Sequence, residues 1–289
     1  MTLRDVADVW PICPGSGEKP AGWSGWPSDR RFAFILTHDV EQTRGMQRCL
    51  QLARMEKELG LVSAFNFVPE KYYLPPQVRD ELSRSGFEIG VHDLRHDGKL
   101  YSSQKVFLRQ ALIINQYLRD WNSVGFRAGS MCHNLKWLHG IRAEYDLSTF
   151  DTDPFEPQPD GICTVFPQWI VNTQGNGGCV ELPYTLPQDL CLFIIFQHRD
   201  TQLWEDKLEW IAIKGGMALL TTHPDYMAWG ERSRRLMNTR LSSIASFCIM
   251  SKKNTAVSIG THFRRMWHAT QDGILSRSTT PEHSGIPCE

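Results

Sequence analysis

"FEIGVHDLRH", residues 87–96, can be read in two ways, and the fold turns on the choice. His92 and His96 have the spacing of the helical His-Glu-x-x-His zinc-protease motif. That motif needs Glu after the first His and helix around it. Position 93 is Asp, and the run FEIGV has the composition of a β-strand. The pair therefore follows a strand, and its i and i+4 spacing brings both rings together on a helical turn. If the pair holds a metal, a third ligand and a reaction must lie elsewhere in the chain. If not, the two rings are surface polar residues.

Outward from that strand, short apolar runs alternate with helical patterns. RFAFILTHD, LVSAFNFVP, FEIGVH, SVGFRAG, DLSTFDT, CVELPYT and MALLTTH are strand candidates, rich in Phe, Val, Ile, Leu or Thr and mostly ending in polar residues. Between them, SSQKVFLRQALIINQYLRDW puts Phe107, Ala111, Ile114, Leu118 and Trp121 on one helical face, with Ser102 or Ser103 as cap. GMQRCLQLARMEKELG ends at Gly60, PPQVRDELSRSG starts at Pro and ends at Gly86, and TQLWEDKLEWIAIKGG is a fourth helix.

Seven such strands alternating with helices argue for a parallel sheet with crossover helices, and seven is close to what a closed barrel requires. The expected class is α/β, an irregular β/α barrel, with a doubly wound open sheet as the alternative. The Gly-, Pro- and Trp-rich residues 1–30 read as an irregular lead-in and residues 31–230 as the barrel. Residues 231–275 read as a helical extension packed on it, and the polar tail 276–289 as disordered.

In β/α barrels the loops after the strands converge on one opening. The ionisable residues follow that rule: His38, Asp39 and Glu41 after the first strand, His92 and His96 after the third, Arg127 on the fourth, Asp151 and Asp153 after the fifth, His223 after the last. Singly, each is more simply a turn or cap residue; their coincidence at five strand ends raises the joint case. Two His and one carboxylate, Asp39 or Glu41, form a common catalytic zinc set with a position left open, suited to hydrolysis with a base and an acid nearby.

The bulk composition narrows the partners. A chain of 289 residues with 41% hydrophobic and 22% charged residues is an ordinary globular protein. A formal charge of −1 and the lack of a basic stripe argue against nucleic acid and anionic membranes. No secretory signal is visible, and LCLFIIF is too short to span a bilayer. The eight cysteines form no CxxC pair and read as free thiols. A soluble cytoplasmic protein is expected; its oligomeric state is not legible.

ILTHDVE, GVHDLRH, GFRAG and MALLTTHPDYM, spanning about Arg31 to Tyr226, resemble the ordered motifs of the polysaccharide deacetylases, the NodB-like carbohydrate esterases. The resemblance implies a distorted (β/α)7 barrel of the polysaccharide deacetylase type. It implies one divalent metal, zinc first, with iron, cobalt or nickel as alternatives. Carried over by position, His92, His96 and Glu41 bind that metal and Asp39 is the general base. Arg127 holds Asp39, and His223 is the acid that protonates the leaving amine. Asp151 or Asp153 is the candidate to orient His223.

DVE, residues 39–41, looks like the branch of the family that spaces its acids Asp-x-Asp, with Glu replacing the second. Two further departures are Gly129, where the family has Pro, and STFDTDPFEPQPDG, which does not reproduce its fourth motif. The implied activity is removal of an N-acyl group, N-acetyl foremost, from a small-molecule or glycan substrate. The alternatives are hydrolysis of a small cyclic amide and an inactive glycan- or partner-binding homologue. A non-haem iron oxygenase would use the same ligand types but commonly a β-sandwich, and no Gly-x-Ser-x-Gly elbow supports a serine hydrolase. FDTDPFEPQPDG and PQWIVNTQG are expected as rim loops. Phe155, Trp169 and Tyr184 are candidate stacking faces, with ordinary packing the favoured explanation.

Overall fold

Six of the seven apolar runs overlie a strand, and the seventh, DLSTFDT, only begins at the last residue of one: β1 (Ala33–Val40), β2 (Ala64–Phe67), β3 (Glu88–His92), β4 (Gly125–Arg127), β5 (Tyr145–Asp146), β7 (Gly178–Glu181) and β8 (Met217–Thr222). An eighth, β6 (Gln168–Val171), forms where a rim loop was expected, because it pairs with β7 as an antiparallel hairpin. The computed structural model describes residues 15–151, 161–172 and 177–227. Asp153, Phe155, the first 14 residues of the lead-in and the two C-terminal segments expected at 231–275 and 276–289 lie outside the described residues.

The sheet order is β6-β7-β5-β4-β3-β2-β1-β8, parallel throughout except for β6 against β7. Eight strands less β6 leave seven parallel ones, as expected. The ends of this curled sheet meet through single bridges beyond β7. Tyr184 pairs with Phe150 after β5, and Leu186 pairs with Leu220 of β8. Thr185 completes the seam: its hydroxyl donates to the Met217 carbonyl (2.8 Å) and accepts the Leu219 N–H (2.8 Å). The barrel is therefore irregular at the joint between β7 and β8.

Strand periodicity sorts side chains to two faces. Ala33, Ile35, Leu147, Val180, Leu182 and Leu219 form an inward cluster. Their neighbours Phe34, Leu36, Ala218 and Leu220 point outward and pack against Leu203, Trp204, Leu208 and Ile211. The last four lie on a helix, Gln202–Lys214, that precedes β8. Trp26 of the lead-in joins the inward cluster, and its indole N–H donates to the Gly215 carbonyl (2.8 Å).

The expected helices form with the expected punctuation. The four are α2 (Cys49–Glu58), α3 (Pro76–Arg84), α4 (Gln104–Asp120) and α5 (Gln202–Lys214), and a short separate turn, α1 (Thr43–Met46), precedes α2. Ser103 caps α4, its hydroxyl accepting the Val106 N–H, and Phe107, Ala111, Ile114 and Leu118 are buried beneath it. Gly60 and Gly86 take the left-handed φ of 72° and 91° just past α2 and α3. The apolar run after Asp189 forms a π-helical turn, Leu190–Ile195. No helix among the described residues is long and apolar enough to cross a membrane. The expectation of free thiols holds for Cys49, Cys132, Cys179 and Cys191, but Cys163 is disulfide-bonded.

Candidate active site

Asp39 sits one residue before the end of β1, on the inward face set by Ala33, Ile35 and Thr37. Its register partner on β2 is Asn66, whose amide donates to Asp39 Oδ1 (2.9 Å). From the last position of β4, Arg127 crosses the barrel interior, fully buried. Its Nη1 donates to both Asp39 oxygens (3.0 and 3.1 Å) and to Thr221 Oγ1 (2.8 Å), while its Nε donates to the Leu147 carbonyl (2.9 Å). Burial alone would raise the Asp39 carboxyl. The guanidinium, aided by His92, His223 and the Asn66 amide, outweighs it and holds the group at about 2.

Glu41 follows β1, and His92 ends β3. His96 returns to His92 without a helical turn, correcting the expectation from spacing. Asp93 and His96 adopt left-handed φ of 55° and 54°, and this bend brings the two ring centroids to 4.8 Å. Glu41 Oε1 lies 3.0 Å from His96 Nε2, 3.9 Å from His92 Nε2 and 3.8 Å from His223 Nε2. The ligand atoms of Glu41, His92 and His96 all fall within 4.8 Å of one another.

His92 tests whether a cation fits. Its Nδ1 can only donate to the Arg127 carbonyl (3.1 Å), which leaves Nε2 as a bare lone pair. That Nε2 is buried and has no hydrogen-bond partner among the described residues. Its neighbours are acceptors too, Glu41 Oε1 at 3.9 Å and Asp39 Oδ2 at 4.0 Å. Lone pairs and carboxylates converging with no proton between them suit a divalent cation held by two His and one carboxylate. The two imidazoles also outweigh burial at Glu41 and keep its carboxyl below the usual range. Burial opposes charge on His96, but Glu41 raises its pKa.

His223, just past β8, is buried and faces the same group. Its Nδ1–H donates to Asp189 Oδ1 (2.6 Å) and its backbone N–H to Asp189 Oδ2 (2.8 Å). Burial lowers the pKa of this imidazole, yet Asp189 foremost, with Asp39 and Glu41, lifts it to about 9. The orienting acid is therefore Asp189 rather than Asp151. Asp151 instead pairs with Lys207 of α5 in a buried contact of 3.1 Å. Asp189 lies eight residues past the end of β7, so the rule that selected the other rim residues does not reach it. Asn66 carried its own signal as an amide inside the apolar run AFNF.

One other expectation changes, and the favoured packing role of the rim aromatics holds. His38 points outward, where Nδ1 meets Thr222 Oγ1 (2.7 Å) and Nε2 meets Glu56 Oε1 (2.5 Å), sealed beneath α2. Tyr184 is buried in the inward cluster and Trp169 packs against it, so both serve packing. The replacement of Pro by Gly129 has a local cause. A Cβ there would stand 2.7 Å from Asp93 Oδ2 and 3.0 Å from the His96 ring, and the Gly129 N–H, which Pro lacks, donates to Asp93 (3.3 Å). A cavity of about 510 Å3 lies at the opposite end of the strands, lined by Arg79, Glu88, Glu144 and Tyr145, and includes none of the rim groups.

No protein-family model and no curated protein matches the chain in sequence. Solved structures do match in shape. A protein of Mycobacterium smegmatis assigned to the polysaccharide deacetylases aligns over 89% of this chain and 97% of its own, with a TM-score of 0.63 and 18% identity. PuuE allantoinase aligns over 85% and 93%, with a TM-score of 0.64 and 16% identity. A protein of Pseudomonas aeruginosa PAO1, assigned likewise to the polysaccharide deacetylases, aligns over 84% and 93%, at 0.61 and 15%. The fold of this chain is the irregular β/α barrel of the polysaccharide deacetylase type.

Proposed function

We propose that this chain is a metal-dependent amide hydrolase that removes an N-acyl group, N-acetyl foremost, from a carbohydrate-like substrate. The observation that carries the reading is the convergence of Glu41, His92 and His96 within 4.8 Å, flanked by Asp39 bound to Arg127 and by His223 bound to Asp189. A divalent cation held by Glu41, His92 and His96, zinc first, would polarise the scissile carbonyl and acidify a water.

Asp39 takes the proton of that water. Arg127 keeps its carboxylate ionised and Asn66 fixes its direction, so the base is ready at neutral pH. His223 donates a proton to the departing nitrogen. Asp189 holds the far side of the ring, leaving Nε2–H to face the site, and favours the charged imidazole that an acid requires. One carboxylate held ionised and one imidazole held protonated, both beside the ligand set, make the acid–base division.

Metal content of the purified chain and of His92→Ala/His96→Ala, with acetate release from N-acetylated sugars, tests this. About one metal ion per chain is expected, lost in the double variant, with acetate from wild type alone. Metal without acetate would keep the hydrolase and move its substrate to small cyclic amides. No metal after reconstitution would overturn the mechanism and leave a glycan- or partner-binding barrel.

A further inference from the structure

Asp225 plays no part in the chemistry above, yet it is the main tie between the two loops that carry it. Three residues past the end of β8, Asp225 is buried, 5% exposed, and its carboxylate spans the exit of β1. Oδ2 accepts the backbone N–H of Glu41 (2.9 Å) and Oδ1 accepts that of Gly45 (2.8 Å). Behind it, Arg48 Nη1 donates to the carbonyls of Pro224 (2.9 Å) and Asp225 (3.1 Å), fastening the β8 loop to the start of α2. Gly45 is part of the seat: a Cβ there would overlap the carboxylate, with Cγ at 2.6 Å and Oδ1 at 2.7 Å.

The consequence lies in what this tie holds. Glu41 supplies the single carboxylate of the candidate ligand set, and it sits in the exit of β1 rather than within the strand. Sheet hydrogen bonds therefore do not fix it. Asp225 fixes its main chain to the loop that carries His223, two residues earlier, and so sets where Glu41 Oε1 stands relative to both His96 (3.0 Å) and His223 (3.8 Å).

We infer that Asp225, seated on Gly45, is a positioning residue that places Glu41 for cation binding. Both its oxygens face N–H donors, so Asp225→Asn would turn an NH2 against one of them and release one end of the clamp. Residues outside a ligand set that orient its members typically govern metal affinity by 10- to 100-fold. This rests on reading Glu41 as a ligand.

The test is titration of the metal-free chain with Zn2+ in competition with a chelating dye, and with Co2+ while recording its visible absorption. Asp225→Asn is expected to weaken Zn2+ binding by about 10- to 100-fold. Its Co2+ spectrum should move toward that of Glu41→Ala, while thermal unfolding without metal changes little by comparison. Gly45→Ala, which leaves the carboxylate in the sequence but displaces it, should weaken binding in the same direction. Wild-type affinity and spectrum in both variants would overturn the inference and leave the ligand set standing. A wild-type chain with no affinity for either ion would overturn both.

Discussion

His38 and His223 look alike by most local measures. Each belongs to a strand or its exit, each is buried, and each bonds a carboxylate through one ring nitrogen, Glu56 at 2.5 Å and Asp189 at 2.6 Å. They differ in face. His38 stands on the outward side of β1, where α2 covers it and Thr222 and Glu56 hold both ring nitrogens. His223 turns inward and keeps Nε2 toward Glu41. The same division runs around the sheet: Asp39, Asn66, His92 and Arg127 point inward, whereas Asp146 and Glu181 point outward. On these strands the candidate site residues stand on the inward face, while His38, Asp146 and Glu181 on the outward face hold neighbouring structure.

The largest expected effects separate the two histidines. His223→Ala should lower turnover of an N-acetylated substrate by about 10²- to 10⁴-fold, the usual worth of a general acid, in a chain that stays folded by circular dichroism. His38→Ala should do the reverse. It strands the Glu56 carboxylate in a fully buried site, which costs about 3–5 kcal/mol in urea unfolding, and turnover by the folded fraction stays close to wild type. Removing Glu56 as well should cost less than the sum of the two single changes. A His38→Ala protein that is stable but inactive would break the division by face.

Gly90 probes the inward face from its back. It lies opposite Asn66 in the β2–β3 register, and a Cβ would overlap Asn66 Oδ1. Asn66 could then keep its bond to Asp39 only by shifting the strand. Gly90→Ala should therefore cost about 1–3 kcal/mol, as overpacking does, and lower turnover as well. An equal overpacking on the outward face, Ala218→Val against α5, should cost stability alone. Equal turnover in both variants would remove the claim that Asn66 acts through Asp39.

The division by face was half legible beforehand. The seven runs were plain because each is short, apolar and bounded by polar residues, and their ends gave Asp39, Glu41, His92, His96, Arg127 and His223 as a group. What adjacent positions hid was direction. His38 and Asp39 are neighbours in sequence, and only the pleat sends one out and the other in. β6 stayed hidden because its four residues, QWIV, owe their conformation to pairing with β7. Asp189 stayed hidden because its partner is 34 residues away, and no local spacing encodes that bond. The His92–His96 bend is likewise a tertiary result: left-handed turns at Asp93 and His96 are held by the Gly129 contact, where spacing alone suggested a helix.

The outward pair Asp146 and Glu181 gives the smallest effect and the finest test. They are register partners on β5 and β7, both fully buried, and each holds the turn after β5: Asp146 accepts from the Ser148 hydroxyl (2.7 Å), Glu181 from the Thr149 N–H (3.1 Å). Burial first, then Asp146, pushes the Glu181 carboxyl well above its usual range, and burial raises Asp146 too. Among the described residues Glu181 Oε2 meets no donor, and a proton shared with Asp146 would satisfy it. An acid with a raised folded pKa keeps its proton in the folded chain to higher pH than in the unfolded one. Its stabilisation is thus full below the unfolded value, about 4.3 for Glu, and is lost as pH rises through the folded value. The loss amounts to about 1.4 kcal/mol for each unit of elevation. Glu181→Gln carries the equivalent of that proton at every pH, with its amide facing Asp146. It should match wild type near pH 4 and unfold at a higher temperature in the alkaline range, with turnover little changed. Parallel unfolding curves from acid to alkaline pH would mean the pair holds no shared proton, and a loss of turnover would mean the outward face reaches the chemistry after all.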